Sequence, residues 1–397
     1  MSTVLTSRER MLSAIDCKEH DAVPCAFMSF AAMRGRCQDA YDVCERELEM
    51  GLDSWLFIPS AWRNLRPNHP DLRGLPVRLP SLVRTGLWME SLPGEEFPVF
   101  RREYRTPAGI LTTVVRKTHD WPHGNFVPFL DDYQIPRAIK PLVTGRADLE
   151  PLQLILQPPG KEDVAAFHTE LRRAKAFCAE HGIMLAAGWS VGGDMAAWLC
   201  GLESLVMMTA DQPDLVEALL EIIGEWSLSR MRVACESGID LYIRRGWYET
   251  ADFWSPGSYR RFIFPWLRRE AEMAHEYGVR FGYNLTTGAL PILGHIVDSG
   301  ADVLIGCDPL QRGQRPLETM RDTLDGRVCM WGGINGAITV EEGTEEDVRE
   351  AVREALEMMR GVEGFILSPV DNITEITQRA WSNVDALIRA WRQFRSH

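Results

Sequence analysis

The chain has 397 residues, of which 25% are charged and 45% hydrophobic, and its formal net charge is −13 at pH 7. That length accommodates one barrel with an insertion, or two domains, around a large core. The acidic balance excludes the basic footprint that nucleic acid or an anionic membrane surface requires, and leaves room only for local basic pockets.

Thr6 or Ser7 is placed to cap a first helix running to about Asp16, with Glu9 or Arg10 in its opening turn. Residues 23–28 read as a first strand, 39–50 as an acidic helix and 54–58 as a second strand. From about 76 to 118 the pattern changes to period-two alternation. Thr106-Pro107-Ala108-Gly109 is a turn signal between two strand-like runs, and predicts an inserted β-hairpin. A proline-rich link from Pro128 to Pro159 follows. A helix over 161–181 and a strand over 183–188 come next, then two helices, the longer opening at Asp211-Gln-Pro-Asp214 and running to about Ser237. The remaining apolar runs, 238–243, 279–284, 301–308, 328–335 and 364–369, are separated by helix-sized segments. Buried parallel strands read as continuous apolar runs joined by helical crossovers. Eight such strands predict a single α/β domain over residues 1–397, a (β/α)8 TIM barrel with an insertion at about 76–159 after the second strand. No G-x-G-x-x-G follows any strand, as an open dinucleotide-binding sheet would require.

The nine cysteines, at 17, 25, 37, 44, 178, 200, 235, 307 and 329, show no CxxC spacing. In a chain of this length that argues for a reducing compartment and buried thiols. The N-terminus lacks the apolar core of a signal peptide, and no run approaches the ~18 apolar residues of a membrane span. The expected location is the cytoplasm.

Several segments together resemble the uroporphyrinogen decarboxylase superfamily. They are Ser7-Arg-Glu-Arg-Met-Leu-Ser-Ala-Ile-Asp followed by Asp21-Ala-Val-Pro24, the passage 199–216, Ser255 to Pro265, Trp331-Gly-Gly-Ile-Asn-Gly, and Gly364 to Pro369 with Asn383 to Ile388. The resemblance implies one of two chemistries: cofactor-free removal of carboxylates from a tetrapyrrole, or corrinoid-linked methyl transfer, in which zinc activates a thiol or methyl groups pass to and from a cobamide. The decarboxylases carry an Arg-Gln-Ala-Gly-Arg-Tyr motif after the first strand, where this chain has Arg34 and Arg36 at a different spacing. They also place an aspartate after the second strand, where this chain has Ile58-Pro-Ser-Ala-Trp62. The hairpin resembles the methyltransferase side. The zinc enzymes show a His-x-Cys-Gly motif after the fifth strand, where Tyr283-Asn-Leu-Thr-Thr-Gly288 stands here. A zinc site would therefore draw on Cys307, with Asp308 and Glu249, if the fold brings three ligands together.

Catalytic groups of such barrels sit at the carboxyl ends of the strands. That rule selects Asn284, Asp308 and Glu249 as catalytic candidates. It selects Arg244, Arg245, Trp189, Trp247, Tyr248, Tyr283, Thr286, Trp331, Asn335 and Asp371 as substrate-binding candidates. The arginines would clamp an anion. Asn284 and Thr286 would hydrogen-bond a substrate oxygen or start a helix turn. Asp308 would be a base or an N-cap, and Cys307 a metal ligand or a small buried hydrophobe. Gly332 and Gly333 before Asn335 would let backbone approach a ligand, or form a tight turn. The tryptophans suit a flat, apolar ligand or the core. His119 and His123 form a close pair, as metal ligands, as a general base, or simply solvated.

The resemblance, on its methyltransferase side, implies an enzyme moving a methyl group from a small methylated, for instance methoxylated aromatic, substrate to a corrinoid (cobalamin) or folate-type acceptor. No Asp-x-His-x-x-Gly signature occurs, so a corrinoid would arrive on a partner protein or at the barrel mouth. Self-association into a homo-oligomer is compatible with this reading. The alternatives are a decarboxylase of another carboxylated substrate, with Arg34, Arg36 or Arg244 holding the carboxylate, and a non-catalytic carrier of a corrinoid or tetrapyrrole.

Overall fold

The computed structural model describes residues 4–59, 75, 79–130, 134–310, 316–324 and 326–395. The chain opens with α1 (Ser7–Ile15), whose N-cap Thr6 accepts from Glu9 N–H while the Glu9 carboxylate accepts from Thr6 N–H. This reciprocal cap satisfies two otherwise orphaned donors. Helix α2 (Ala40–Glu49) is capped by Asp39, and strand β1 (Trp55–Ile58) follows.

Next comes an antiparallel sheet of four strands, β2 (Arg84–Glu90), β3 (Val99–Thr106), β4 (Gly109–Arg116) and β5 (Ala138–Lys140), in that order. Thr106 pairs with Gly109 across the β3–β4 turn, and the Thr106 hydroxyl accepts from Ala108 N–H. Phe100, Val115, Trp121 and Val127 form a small apolar cluster of their own on this sheet. The link expected to be irregular carries β5 and also α3 (Leu149–Ile155).

From α4 (Lys161–His181) the alternation of helix and strand is regular. Strand β6 (Met184–Val191) is followed by three helices rather than two: α5 (Gly193–Cys200), α6 (Leu202–Asp211) and α7 (Pro213–Glu236). Then come β7 (Leu241–Arg245), the single turn α8 (Pro256–Ser258) running into α9 (Phe264–Glu276), β8 (Arg280–Asn284), α10 (Leu293–Ser299) and β9 (Val303–Cys307). The chain ends with α11 (Pro316–Leu324), β10 (Cys329–Asn335), α12 (Glu345–Met358), β11 (Phe365–Val370) and α13 (Gln378–Phe394). Strands β1, β6, β7, β8, β9, β10 and β11 pair in that order, all parallel, in one curled sheet. Every residue of β6, β7, β9 and β11 is buried, as strands covered on both faces must be.

Among the described residues the sheet thus has seven laddered strands, not eight. The expected first strand forms only two isolated parallel bridges, Cys25 with Leu367 and Ser29 with Asn372. Its hydrogen bonds explain why no ladder develops. Pro24 has no N–H, Cys25 N–H goes to the Asp53 carboxylate (3.0 Å), and Met28 N–H goes to the Ser368 hydroxyl (3.0 Å). The segment still reaches both margins of the sheet: Ala26 N–H donates to Leu367 O beside β11, and Asp53 N–H donates to Cys25 O just before β1. No helix among the described residues is long and apolar enough to cross a membrane.

Candidate active site

The carboxyl ends of the parallel strands open into a cavity of about 570 Å³, a size suited to a small molecule. Its wall combines Trp55 and Phe57 from β1, Trp189 from β6, Ile243 from β7, Asn284 at the end of β8 and Ile305 from β9. Asp371 and Asn372 follow β11 into it, α2 contributes Val43, Cys44 and Glu47, and Phe27 and Phe30 come from the segment that bridges β11. No lysine, arginine or histidine stands among the described residues of this wall, whereas Glu47, Glu341 and Asp371 do.

The aromatic walls are held in place by polar groups behind them. Trp55 Nε1 donates to Phe27 O (3.0 Å). Trp247 sits in the turn after β7, and Asp194, on the first turn of α5, fixes that turn. Its carboxylate accepts from Trp247 N–H (3.1 Å), Tyr248 N–H (2.6 Å) and Arg245 Nε (2.6 Å). The Arg245 guanidinium lies 5.1 Å from the centre of the Trp247 ring. Gly246 is required at this turn, because a Cβ there would meet the Tyr283 ring at 2.5 Å. Buried polar atoms facing the cavity are otherwise few. Asn284 Oδ1 and Trp247 Nε1 are buried without a hydrogen-bond partner, which is costly unless a ligand supplies one.

Burial dominates the acidity of Glu47 and Asp371. Glu47 is fully enclosed, and desolvation pushes its carboxyl up to about 8, against a hydrogen bond from the Ser54 hydroxyl (2.6 Å) that favours ionisation. Asp371 is also raised, first by burial and then by the negative charges of Asp308 and Glu341. Its backbone lies in the left-handed region at φ 71°, a conformation that costs free energy for a residue with a side chain and clusters at functional positions.

Several expected site residues lie beneath the cavity instead. Arg244 (1% exposed) binds both oxygens of Glu249, with Nη2–Oε1 at 2.6 Å and Nε–Oε2 at 3.1 Å, and reaches Glu270 through Nη1 at 2.7 Å. Glu249 further accepts from Gly193 N–H and the Tyr283 hydroxyl, and Glu270 accepts from the Ser190 hydroxyl. Burial alone would lower the Arg244 pKa, but the two carboxylates outweigh it and hold it well above its ordinary value. Arg244, Arg245, Glu249 and Tyr283 therefore form a buried ionic and hydrogen-bonded base and do not reach the wall. Glu249 has no free lone pair to act as a base, and neither arginine is free to clamp an anion. Trp331 is fully buried, its Nε1 donating to Ala26 O (2.8 Å), and Tyr248 packs its ring on Phe253. Trp189, Trp247, Asn284, Thr286 and Asp371 do line the cavity.

Asp308 and Asn335 pair with one another at 3.0 Å, outside the wall. Asp308 also accepts from Leu310 N–H, and Asn335 Oδ1 caps the following turn at Ile338 N–H. Gly332 makes room for the neighbouring strand, not for a ligand: a Cβ there would lie 2.6 Å from Cys307 O. Cys307 is fully buried, its thiol donates to Leu304 O, and burial pushes it up to about 12. No group of three or more His, Cys, Asp or Glu among the described residues is placed to hold a metal ion. Cys307, Asp308 and Glu249 thus do not assemble a zinc site. His119 is exposed, edge-on to Phe97, and His123 packs on Trp121. Trp62 lies outside the described residues, as does the side chain of Arg34.

The sequence reading missed Glu47, Trp55 and Phe57. Glu47 carried a signal: with Ala40, Val43 and Cys44 it completes an i, i+3, i+4, i+7 stripe, where a core-facing helix would place an apolar residue.

The sequence profile of the family described as Uroporphyrinogen decarboxylase (URO-D) matches residues 131–394. The chain belongs to the uroporphyrinogen decarboxylase family. No curated protein matches this family member in sequence. Among solved structures, a methyltransferase from Methanosarcina mazei is similar over 98% of this chain and 99% of its own, at 18% identity and a TM-score of 0.61. The 3-keto-D-glucoside 4-epimerase YcjR from E. coli is similar over 56% of this chain and 84% of its own, at 13% identity and a TM-score of 0.36. The first likeness shows a shared fold over nearly the whole chain.

Proposed function

We propose that this uroporphyrinogen decarboxylase family member is a methyl-transferring enzyme on a closed (β/α)8 barrel, with the 23–29 segment standing in for the eighth strand. The observation that carries the reading is the cavity wall, which is aromatic, acidic and free of cationic side chains among its described residues. A decarboxylase of this architecture would need a cation on its substrate carboxylate. Arg244 is consumed by Glu249 and Glu270, and Arg36 lies 3.5 Å over the Trp381 ring, away from the wall. The full-length likeness to a methyltransferase supports the same choice.

In this reading the barrel buries a small methylated substrate and holds its methyl group in line with an acceptor, which is catalysis by positioning. Trp189 and Trp247 flank the substrate, and Asn284 offers it an unsatisfied oxygen. Asp194 and Arg245 keep Trp247 in place. The acceptor is a reduced corrinoid or folate-type carrier, which supplies the nucleophile when bound. A cavity of about 570 Å³ takes the substrate alone, so a corrinoid docks at the mouth, on its own or on a partner protein. Zinc has no role in this reading, because no set of ligands for it is assembled among the described residues.

The test is to incubate the protein with reduced cobalamin and a panel of methoxylated and N-methylated compounds, following formation of methylcobalamin. Methyl transfer from at least one compound, lost in Trp189→Leu, is the expected result. No transfer from any compound, together with carbon dioxide release from a carboxylated one, would overturn it.

A further inference from the structure

Four aromatic rings follow one another along the cavity wall, each nearly perpendicular to the next. Trp55 and Phe57 meet at 89° with centroids 6.3 Å apart, Phe57 and Trp189 at 84° and 5.6 Å, and Trp189 and Trp247 at 88° and 6.3 Å. Within each pair the edge of one ring packs on the face of the next, and all four residues border the cavity. The carboxyls of Glu47, Glu341 and Asp371 share that space with no described basic group. Glu341 is already engaged by the N–H groups of Thr374 and Glu375, and Glu47 accepts from the Ser54 hydroxyl, which leaves Asp371, and Glu47 once a bound cation draws off its proton, as the negative groups of the space.

We infer that the cavity selects a cationic methylated nitrogen, a quaternary ammonium headgroup, through this right-angled aromatic wall and its two carboxyls. The proposal rests on the methyl-transfer reading and names the substrate class of that same site. Ring faces attract a desolvated cation through their quadrupole, and cages of this kind recognise methylated ammonium groups. A neutral aromatic ether would stack on the same rings but give neither carboxyl a counter-charge. The leaving-group chemistry agrees. On transfer the C–N bond breaks with its electron pair passing to nitrogen, and the methyl carbon bonds to the acceptor's nucleophile. The nitrogen leaves as a neutral tertiary amine, with no proton required. A methyl ether would release an oxyanion that needs a proton or a Lewis acid.

The experiment compares choline and tetramethylammonium with 3,3-dimethylbutan-1-ol, the uncharged carbon isostere of choline, by tryptophan fluorescence titration of the intact protein without any acceptor. The expected result is saturable binding of the cations, at least ten-fold tighter than the alcohol. In titrations at pH 9, where Glu47 is ionised, Glu47→Gln should narrow that preference several-fold, its melting profile at pH 6 being unchanged, and Trp189→Leu should weaken cation binding by ten-fold or more. Equal or tighter binding of the alcohol, or saturation by none of the three, overturns the inference. Turnover of a methoxylated compound alongside that result would leave methyl transfer standing. Tight cation binding without any methylcobalamin formation would sink the transfer reading alone.

Discussion

A single carboxyl inside an apolar helix stripe makes stability depend on pH in an unusual direction. Because burial raises Glu47 from 4.5 to about 8, the folded protein keeps a proton that the unfolded chain releases. Wild-type stability should therefore fall as pH rises from about 4.5 to about 8 and level off above that. Glu47→Gln removes this slope and should be the more stable protein at pH 9, by on the order of a few kcal/mol, since each pKa unit is worth ~1.4 kcal/mol. Urea titrations of both proteins between pH 5 and 9 check this, and parallel profiles would refute it. The ionic base beneath the cavity behaves differently. Arg244→Met strands Glu249 and Glu270 in the interior, and breaking a buried pair in this way costs ~3–5 kcal/mol. A urea midpoint close to wild type would show that the network relaxes or admits water.

Backbone contacts limit substitution within individual elements. Gly332 has φ 155°, and a Cβ there would press on the backbone of Cys307 where β10 shifts register against β9. Gly332→Ala should lose ~1–3 kcal/mol, the usual cost of overpacking, and a differential scanning measurement would detect it. Most elements were legible from pattern. The α1 cap at Thr6, the helix at 161–181, and the strands from β6 onward stand within a few residues of where periodicity placed them, because buried parallel strands and amphipathic helices write distinct periods into sequence. The first strand was not legible as bridges, since no pattern shows that the Asp53 and Ser368 side chains would take the hydrogen bonds of a ladder. The site was half legible. The strand-end rule found Trp189, Trp247, Asn284, Thr286 and Asp371, but it also chose Arg244, Arg245 and Glu249. These lie at or just after the same strand ends and turn into the interior, where Arg244 pairs with Glu249 and Glu270 and Arg245 pairs with Asp194. Spacing alone does not separate a charge that meets a ligand from one that meets a partner.

For the molecule as a whole, the two sheets should differ in local stability. The parallel sheet shares one continuous core with its helices, whereas the antiparallel sheet joins that core through Tyr104 and Leu111, carries a separate four-residue cluster besides, and exposes Trp88, Met89 and Ile110. Fewer buried contacts mean opening at lower free energy. Amides of β3 and β4 should therefore exchange with deuterium before those of β7 to β10, and simultaneous exchange would argue for one cooperative unit. The nine cysteines, all free and seven of them buried, have a further practical meaning. Burial raises the thiols of Cys178, Cys200, Cys235 and Cys307 to about 12, and alkylating reagents attack the thiolate. The seven buried thiols are thus chemically quiet toward maleimides at neutral pH, and each of them that becomes labelled marks an opening of the element around it. Cys44, in the cavity wall, extends that record to ligand binding: an occupant of the cavity should slow its labelling while leaving Cys235 unchanged. The protein carries its own set of reporters, distributed from the central sheet to the site.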